Sequence, residues 1–355
     1  MNITRTRLVF ISIGLFFLVV VFLFLGFGLF LVSPAEKEGV EQVFIVKEGS
    51  SLRDVAGDLE KKGLITNKTL FILWTRVKGY GKDIRAGEYS LSPTMPPVQM
   101  LEILKKGLVV LRPVTIPEGF TRNQIAELLA AKGLADKKRF LELTEDKELL
   151  RQYAVPGPSL EGYLFPDTYH FSRGTPTLVI IETMVKRFRQ VVAPSMEKTQ
   201  GTGMTFQDVV TLASIVEKET SRPEERPLIA SVFLNRLKLG MRLESDPTVI
   251  YGIENFDGDL KKKNLTEKTP YNTYVINGLT PGPIANPGLD SIKAVMDPAK
   301  TDYLYFVSKN DGSHHFSRSL AEHNRAVDLY QKRRGKSPKK PLDRLSCIQY
   351  TESAK

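Results

Sequence analysis

Hydrophobic residues near the start of the chain form one long uninterrupted segment. Residues 8–32, LVFISIGLFFLVVVFLFLGFGLFLV, contain no charged side chain. About 20 apolar residues in a helix cross the roughly 30 Å hydrocarbon core of a bilayer, so this segment predicts a transmembrane helix. The tripeptide Ser33-Pro34-Ala35 resembles a signal-peptide cleavage site, but the apolar core of a signal peptide is only about 7–15 residues long. We therefore expect an uncleaved anchor.

Two later segments share one pattern of hydrophobic and polar positions. IVKEGSSLRDVAGDLEKKGLI begins at Ile45, and TIPEGFTRNQIAELLAAKGLA begins at Thr115. Each predicts a short strand, a Glu-Gly turn, a capped amphipathic helix that stops at Gly, and a following helix. Matching segments from Tyr89 and Tyr169 add a strand and a helix to each copy. The pattern therefore predicts a partial internal repeat.

The pattern changes after about residue 200. A helix is predicted to begin at Thr205, and another covers residues 226–239, RPLIASVFLNRLKL. Residues 245–288 are rich in Gly, Pro, Asn and Tyr, which predicts largely irregular structure. A loop of this length inside a compact domain is usually functional.

The first of these helices ends in two acidic residues. Thr205 and Asp208 form a capping-box start. Steps of three and four residues place Glu217 on an apolar face and Glu219 on a neighbouring apolar flank. Removal of a carboxyl from water raises its pKa, as a general acid near neutral pH requires. The alternative is that the helix end is solvated. Periodicity alone does not decide whether Glu217 is buried or solvated, and it does not decide which of the two acids is functional.

The charges around the apolar segment predict its orientation. Arg5 and Arg7 precede it, whereas residues 36–38 carry mixed charge. By the positive-inside rule the N-terminus is cytoplasmic, and the chain after residue 33 is exported. The formal net charge of +10 then favours an anionic wall polymer or lipid headgroups over nucleic acid as partner. The single cysteine, Cys347, excludes an intramolecular disulfide and a cysteine-based metal site.

Five separated blocks carry a resemblance to a known family. They are, in order, PSLEGYLFPDTY, LASIVEKET, ESDPTVIYG, TPYNTYVINGLTPGPIANPG and YLYFVSKNDGSHHFSRSLAEHN. Together they resemble the endolytic murein transglycosylases of the MltG (YceG-like) family, over roughly residues 40–330. The segment VFIVKEGSSLRDVAGDLEKKGLI looks like a LysM-type module, a small βααβ fold that binds N-acetylglucosamine-containing glycans in other wall proteins.

The residue pattern and the resemblance together predict an α+β fold with five segments. These are a cytoplasmic N-terminus at 1–7, a transmembrane helix at 8–32, a LysM-like subdomain at 33–112, a mixed catalytic domain at 113–335 and a basic tail at 336–355. It also implies a single-pass protein of the cell inner membrane, whose catalytic domain is extracytoplasmic and whose partners are peptidoglycan strands and cell-wall synthases.

The implied activity is cleavage of the β-1,4 bond between N-acetylmuramic acid and N-acetylglucosamine within a strand. The product carries a 1,6-anhydromuramyl end, and no water is consumed. In the family the first Glu of the Val-Glu-Lys-Glu block is catalytic, which corresponds to Glu217. It would protonate the leaving oxygen and then accept the proton of the muramyl C6 hydroxyl. The alternatives are a hydrolytic muramidase and a non-catalytic wall-binding scaffold.

The resemblance also identifies candidates for a sugar cleft. Aromatic faces and hydrogen-bonding side chains suit sugar rings, although Tyr and Asn in such a loop often have a structural role. The candidates are Asp246, Tyr251, Tyr271, Asn272, Thr273, Tyr274, Asn286 and His315. Glu161 is a further candidate near the site, as a residue that orients Glu217 or the loop or, alternatively, as a structural cap. Neither a cofactor nor a metal is expected, because adjacent His residues in DGSHHFS point apart on an extended strand and no acid lies at ligand spacing.

Overall fold

The computed structural model describes residues 3–81, 83–196 and 203–332. The predicted basic tail at 336–355, with Cys347, lies outside the described residues. The chain is a mixed α+β protein with two compact units. Unit 1 contains the described residues up to Val114 together with Tyr169–Pro176, and unit 2 contains Thr115–Thr168 and the described residues from Thr177.

The first helix, α1, covers Ile3–Val32 and includes the predicted apolar segment. Its stretch Phe10–Val32 has a mean hydropathy of 3.1, so the helix is long and apolar enough to cross a membrane. Only 6% of the stretch is buried in the protein. The buried part is at its end, where Leu31 is buried and Phe30 packs against the core of unit 1.

Unit 1 continues with two strands and three helices. The antiparallel strands β1 and β2 pair in a register that joins Gln42 to Leu91 and Val46 to Gly87. The core lies between this sheet and the helices, and Leu59 and Tyr89 are fully buried in it. The elements are β1 (Gln42–Val46), α2 (Leu52–Lys61), α3 (Lys68–Val77), β2 (Gly87–Leu91) and α4 (Pro97–Lys106).

Strands β3 (Arg112–Thr115) and β4 (Thr168–Phe171) form a second two-stranded sheet. Unit 2 contains the remaining elements. They are α5 (Arg122–Ala131), α6 (Lys137–Thr144), α7 (Lys147–Gln152), α8 (Thr177–Met196), α9 (Phe206–Glu219), α10 (Arg226–Lys238), α11 (Asp246–Tyr251), α12 (Lys262–Thr266), α13 (Leu289–Met296), β5 (Tyr305–Ser308), β6 (His314–Ser317) and α14 (Leu320–Val327).

Helix α9 lies at the centre of unit 2 and positions the two acids. The predicted capping box is confirmed, because Thr205 Oγ1 accepts from the Asp208 backbone N–H while the Asp208 carboxylate accepts from that of Thr205. The eight residues from Val209 to Val216 are all buried, and α10 and α13 pack against the helix. The helix ends at Glu219 because Thr220 is extended. Glu217 and Glu219 therefore directly follow the buried part of the helix.

The predicted irregular stretch at 245–288 contains only the short helices α11 and α12, with turns elsewhere. Pro283 of this stretch packs closely against Gly162 of the Leu-Glu-Gly turn and lies near Val210 of α9. Gly162 has φ +87°, and a Cβ at this position would lie 2.5 Å from Pro283 Cγ and 3.0 Å from Val210 Cγ1. Only glycine combines this backbone conformation with so close an approach, which holds the Leu-Glu-Gly turn beside the Pro-rich loop.

Candidate active site

Glu217 is almost fully buried at the end of α9, and its side chain is 5% exposed. Arg226 Nη2 donates a 3.0 Å hydrogen bond to Glu217 Oε1, and the Gly288 backbone N–H donates a 2.9 Å bond to Oε2. Because an arginine guanidinium is always charged, Glu217 faces a full positive charge at hydrogen-bond distance. Both of its oxygens are thus occupied by protein donors.

The same arginine holds two further carboxylates. Arg226 Nη2 lies 3.3 Å from Glu118 Oε2, and Nη1 lies 3.8 Å from Asp290 Oδ2. Burial raises the pKa of the Glu118 carboxyl, the charge of Glu217 raises it further, and Arg226 opposes both. Glu118 and Asp290 are half-exposed or more. Glu217 is therefore part of an ion-pair cluster around one buried guanidinium.

Glu219 has a different environment, two residues later. Ser245 Oγ donates a 2.5 Å hydrogen bond to Glu219 Oε1, and none of the described residues forms an ion pair with this carboxyl. Burial raises the pKa of Glu219 to about 7, the charge of Asp246 adds to this, and the Ser245 hydrogen bond opposes it. Near neutral pH the carboxyl is therefore divided between its protonated and ionised forms.

Glu219 lines a cavity of about 380 Å³ on unit 2, and most of the groups that surround the cavity are polar. The lining residues are Glu219, Arg236, Leu243, Glu244, Asp246, Tyr274, Phe306, Val307, Ser308, His314, His323, Val327 and Gln331. Two larger, more open hollows lie along α6 and α7 and contain none of the candidate residues. The polar cavity thus combines an acid that can hold a proton with several hydrogen-bonding groups.

Two predicted sugar-cleft residues lie in this cavity. The Tyr274 hydroxyl donates a 2.7 Å hydrogen bond to Asp246 Oδ1. Arg236 supports the wall, because its guanidinium donates to the backbone oxygens of Leu304 and Leu243 and pairs with Glu244 at 3.1 Å. Asp246 and Tyr274 are therefore brought together with Glu219.

His314 also lines the cavity, and the sequence did not single it out. Its Nδ1 lies 2.7 Å from Glu225 Oε2, and its backbone N–H donates a 2.9 Å bond to Glu225 Oε1. Burial alone would raise the pKa of the Glu225 carboxyl, but these two bonds bring it below its ordinary value. Phe306 packs edge-on against the imidazole at 5.5 Å. The ring is thus oriented from two sides, with Nε2 as its remaining polar atom.

His315 was the predicted cleft residue, and it lies elsewhere. Adjacent residues on β6 face opposite sides, as predicted, so His315 packs on Tyr330 at 5.7 Å between ring centroids and does not line the cavity. The only signal in the sequence was the pair of His residues, which does not say which one faces inward. Within the described ranges no group of three His, Cys, Asp or Glu residues is placed to hold a metal.

Glu161 is buried in a separate network. The carboxylate accepts hydrogen bonds from the Arg122 backbone N–H at 3.0 and 3.1 Å, from Asn286 Nδ2 at 2.8 Å and from the Tyr251 hydroxyl at 3.1 Å. Burial raises the pKa of Glu161 to about 7 in spite of these bonds. The Tyr251 and Tyr271 rings pack 4.9 Å apart. Glu161, Tyr251 and Tyr271 therefore stabilise the loop and do not line the cavity.

Three predicted sugar ligands are fully buried and bonded within the protein. Asn272 Nδ2 donates to the backbone oxygens of residues 264, 265 and 267. Thr273 Oγ1 accepts from the Ser245 backbone N–H and pairs with Thr248 Oγ1. Asn286 bonds to Glu161 and to the backbone at 120 and 164. These bonds supply the buried polar partners that an irregular loop needs, and the role of the three residues as substrate ligands stays a prediction.

Comparisons with known proteins agree on one family. The model of the YceG-like family matches residues 44–329. The chain is 34% identical over 321 residues to the endolytic murein transglycosylase of Bacillus subtilis, which covers 86% of this chain and 89% of that relative. It is 31% identical over 314 residues to the endolytic murein transglycosylase of Streptococcus pneumoniae, which covers 79% of this chain and 57% of that longer relative. A crystal structure of a YceG-like protein from Listeria monocytogenes is also similar, with TM-score 0.57 and 34% identity, over 81% of this chain and 100% of that one.

Proposed function

The chain belongs to the YceG-like family, and on this premise we propose that it is a lytic transglycosylase that cleaves peptidoglycan strands internally. The observation that carries the proposal is a single buried carboxyl with a pKa of about 7 at the wall of a polar cavity. A carboxyl of this kind can first donate and then accept a proton near neutral pH. The names of the curated relatives support the same reaction class.

We propose Glu219 as this acid in place of Glu217. Glu217 accepts a hydrogen bond at each oxygen, from Arg226 and from Gly288, so a substrate group that reaches this carboxylate must compete with both protein donors. Glu219 has one protein donor, Ser245, among the described residues, and it lines the cavity. The ion pair of Glu217 instead fixes the end of α9 from which Glu219 projects.

The proposed reaction uses Glu219 twice. The protonated carboxyl gives its proton to the glycosidic oxygen as the bond from C1 of N-acetylmuramic acid to that oxygen breaks. The C6 hydroxyl of the same muramyl residue then attacks C1, and the Glu219 carboxylate accepts the proton of this hydroxyl. The 1,6-anhydro ring forms, the other fragment leaves with a free 4-hydroxyl, and the acid returns to its starting state. No second carboxylate is needed to activate water, in contrast to ordinary glycosidases.

Asp246 and His314 support this cycle from the cavity wall. The charge of Asp246 contributes to the raised pKa of Glu219, which increases the protonated fraction of the acid near neutral pH. His314, held by Glu225, presents a ring nitrogen as a hydrogen-bonding group for a sugar hydroxyl. Tyr274 adds an aromatic face with a polar rim.

The experiment is mass spectrometry of purified glycan strands after incubation with the full chain in detergent, carried out in isotope-labelled water. Anhydro ends without label support the lytic reaction. Reducing ends that carry label would identify a hydrolytic muramidase instead. If the strands stay intact although the chain is folded in detergent, the protein would be a non-catalytic wall-binding scaffold.

We also propose that α1 anchors the protein in the cell inner membrane with its N-terminus inside and the rest of the chain outside. The packing of the end of α1 supports an uncleaved helix, because Phe30 and Leu31 contribute to the core of unit 1. Removal of this segment as a signal peptide would expose that core. The partners are then strands emerging near the bilayer and the synthases that make them.

Finally, we propose that residues 33–112 form a LysM-like subdomain and that the segments from Ile45 and Thr115 are repeated copies. Two features support the repeat. The helix of each copy begins with a capping box, at Ser51 and at Thr121, and each has positive-φ glycines before and after that helix. Glycan binding by the first copy is measured by titration of chitooligosaccharides against the full chain.

A further inference from the structure

The outward surface of α3 is apolar, although α3 is a surface helix of unit 1. Phe71 and Thr75 point into the core and are fully buried. Turned away from these residues, within an arc of about 100°, lie four apolar residues that we name the outward α3 face: Leu70, Leu73, Trp74 and Val77. Trp74 lies at the edge of this face and also packs against the core of unit 1. Leu73 is 50% exposed and Val77 is 69% exposed. An amphipathic helix of a soluble domain would carry polar residues here.

The contact between α1 and α3 shows at which depth in the bilayer the outward α3 face would lie. The rings of Phe27 and Trp74 pack edge to face, with centroids 6.2 Å apart. About 20 helical residues cross the hydrocarbon core, and 20 residues counted from Leu8 end at Phe27. A helix tilt of about 20° would change this level by only about 2 Å. Counted from Phe10, where the candidate span begins, the same length ends at Leu29, so Phe27, and Trp74 with it, lie within about one helical turn of the outer boundary of the hydrocarbon.

The chemistry of the face suits that depth. Tryptophan is enriched at the boundary between hydrocarbon and headgroups, because its ring is apolar and its N–H needs a polar partner. Lys78 Nζ lies 4.7 Å from the centre of the Trp74 ring, and Arg76 is exposed beside it. Cations at the edge of an apolar helical face are attracted by anionic headgroups.

From these observations we infer that unit 1 docks on the outer surface of the bilayer that α1 spans, with the outward α3 face inserted among the lipid headgroups. The inference rests on the anchoring part of the proposed function. We assign lipid as the partner of the outward α3 face, because this face adjoins the membrane-spanning helix α1 through the contact between Phe27 and Trp74. The membrane contact of this protein is then a helix plus a docked surface, which restricts the orientation of unit 1.

Trp74 is the only tryptophan in the chain, so tryptophan fluorescence reports on this one position at the edge of the face. The full chain is reconstituted in vesicles of phosphatidylcholine with one quarter phosphatidylglycerol, some containing lipids brominated near the headgroup or near the chain end. We expect stronger quenching by the shallow bromines and weak quenching by aqueous iodide. In Leu73→Ser with Val77→Ser, we expect the quenching by shallow bromines to fall by about twofold or more, since less apolar area is buried in the interface.

Leu239→Ser with Leu320→Ser is the matched control, because these leucines of unit 2 are 64% and 55% exposed. It should leave Trp74 quenching unchanged, and circular dichroism verifies the fold of both variants. Strong iodide quenching without bromine quenching overturns the inference, and so does protection from both quenchers, which would indicate a protein partner such as a second copy. Resistance to alkaline carbonate extraction separately measures anchoring: a chain that washes off refutes the anchor and the docking together, while glycan cleavage remains a separate readout.

Discussion

Ser245 Oγ lies 2.5 Å from Glu219 Oε1, and this is the closest hydrogen bond to either acid of the Glu-Lys-Glu block. The two residues come from different segments, the end of α9 and the residue before α11. The bond orients a carboxyl that burial keeps partly protonated. Glu217, only two residues earlier, is paired with Arg226. The pairing partners, more than the position on the helix, distinguish the two acids.

The first prediction separates the roles of these acids. Glu219→Gln should lower the rate of strand cleavage by about 10²–10⁴, the usual contribution of a general acid, with little loss of stability. Glu217→Gln should lower the free energy of unfolding by about 3 kcal/mol, at the lower end for a broken buried ion pair, because it removes the one buried carboxylate beside Arg226 and leaves only the more exposed Glu118 and Asp290.

Fragment ends are measured by mass spectrometry and stability by denaturant unfolding. If folded Glu217→Gln is inactive while Glu219→Gln retains the parental rate, the acid is Glu217, as the family resemblance implied.

The second prediction concerns Ser245. Its hydrogen bond lowers the pKa of Glu219, so Ser245→Ala should raise that pKa further. Since the acid must be protonated to react, the alkaline limb of the rate profile should move to higher pH. Ser313→Ala, on the exposed hairpin turn, is the control and should leave the profile in place. A shift to lower pH in Ser245→Ala would contradict the assignment.

The third prediction concerns stability and pH. The pKa of Glu219 is raised from 4.5 to about 7 on folding, so the unfolded chain loses this proton first as pH rises. The group therefore lowers the free energy of unfolding progressively between about pH 4.5 and pH 7, by about 3 kcal/mol in total. Below about pH 4.5 the carboxyl is protonated in both the folded and the unfolded chain, so it does not lower the free energy of unfolding.

Glu219→Gln removes the titration, so its stability relative to the parent should increase across the same window and stay constant above it. Urea unfolding of both proteins at several pH values measures this. A constant difference from acid to neutral pH would show that the carboxyl is solvated.

The fourth prediction compares adjacent histidines. His314 lines the cavity, whereas His315 packs on Tyr330. His314→Ala should lower kcat by about tenfold, the effect of one lost hydrogen bond of about 1.4 kcal/mol in the transition state, and His315→Ala should change it little. His314→Gln, which keeps a hydrogen-bonding group, should recover part of the rate. Equal losses in the two alanine variants would assign His314 a merely structural role.

The fifth prediction concerns the turn that joins Glu161 to the Pro-rich loop. Gly162→Ala places a methyl group 2.5 Å from Pro283 Cγ. Gly258→Ala also has a positive φ, at +91°, but meets nothing within 4 Å. Both variants share the backbone strain, so the difference between their unfolding free energies measures the clash, which we expect to be about 2 kcal/mol. Similar values for the two would show that the loop moves aside.

The sequence alone determined the features that depend on residues close to one another along the chain. The apolar span predicts a helix long enough to cross a membrane, and α1 has that length. Thr205 and Asp208 predicted the start of α9, and the segment at 226–239 predicted α10. Helical periodicity, capping and turn chemistry act over a few residues, so they can be read directly from the chain. The family was also evident from the order of five short blocks.

The tertiary structure alone decided the chemistry of the site. Glu217 and Glu219 are equivalent in periodicity, but Arg226 and Gly288 occupy one and Ser245 orients the other. In the same way, contacts from distant segments decided which histidine faces the cavity and bonded Asn286 to Glu161. The physical reason is that a carboxyl's protonation depends on its burial and on charges brought near it by folding, and these are set by partners tens of residues away in the chain.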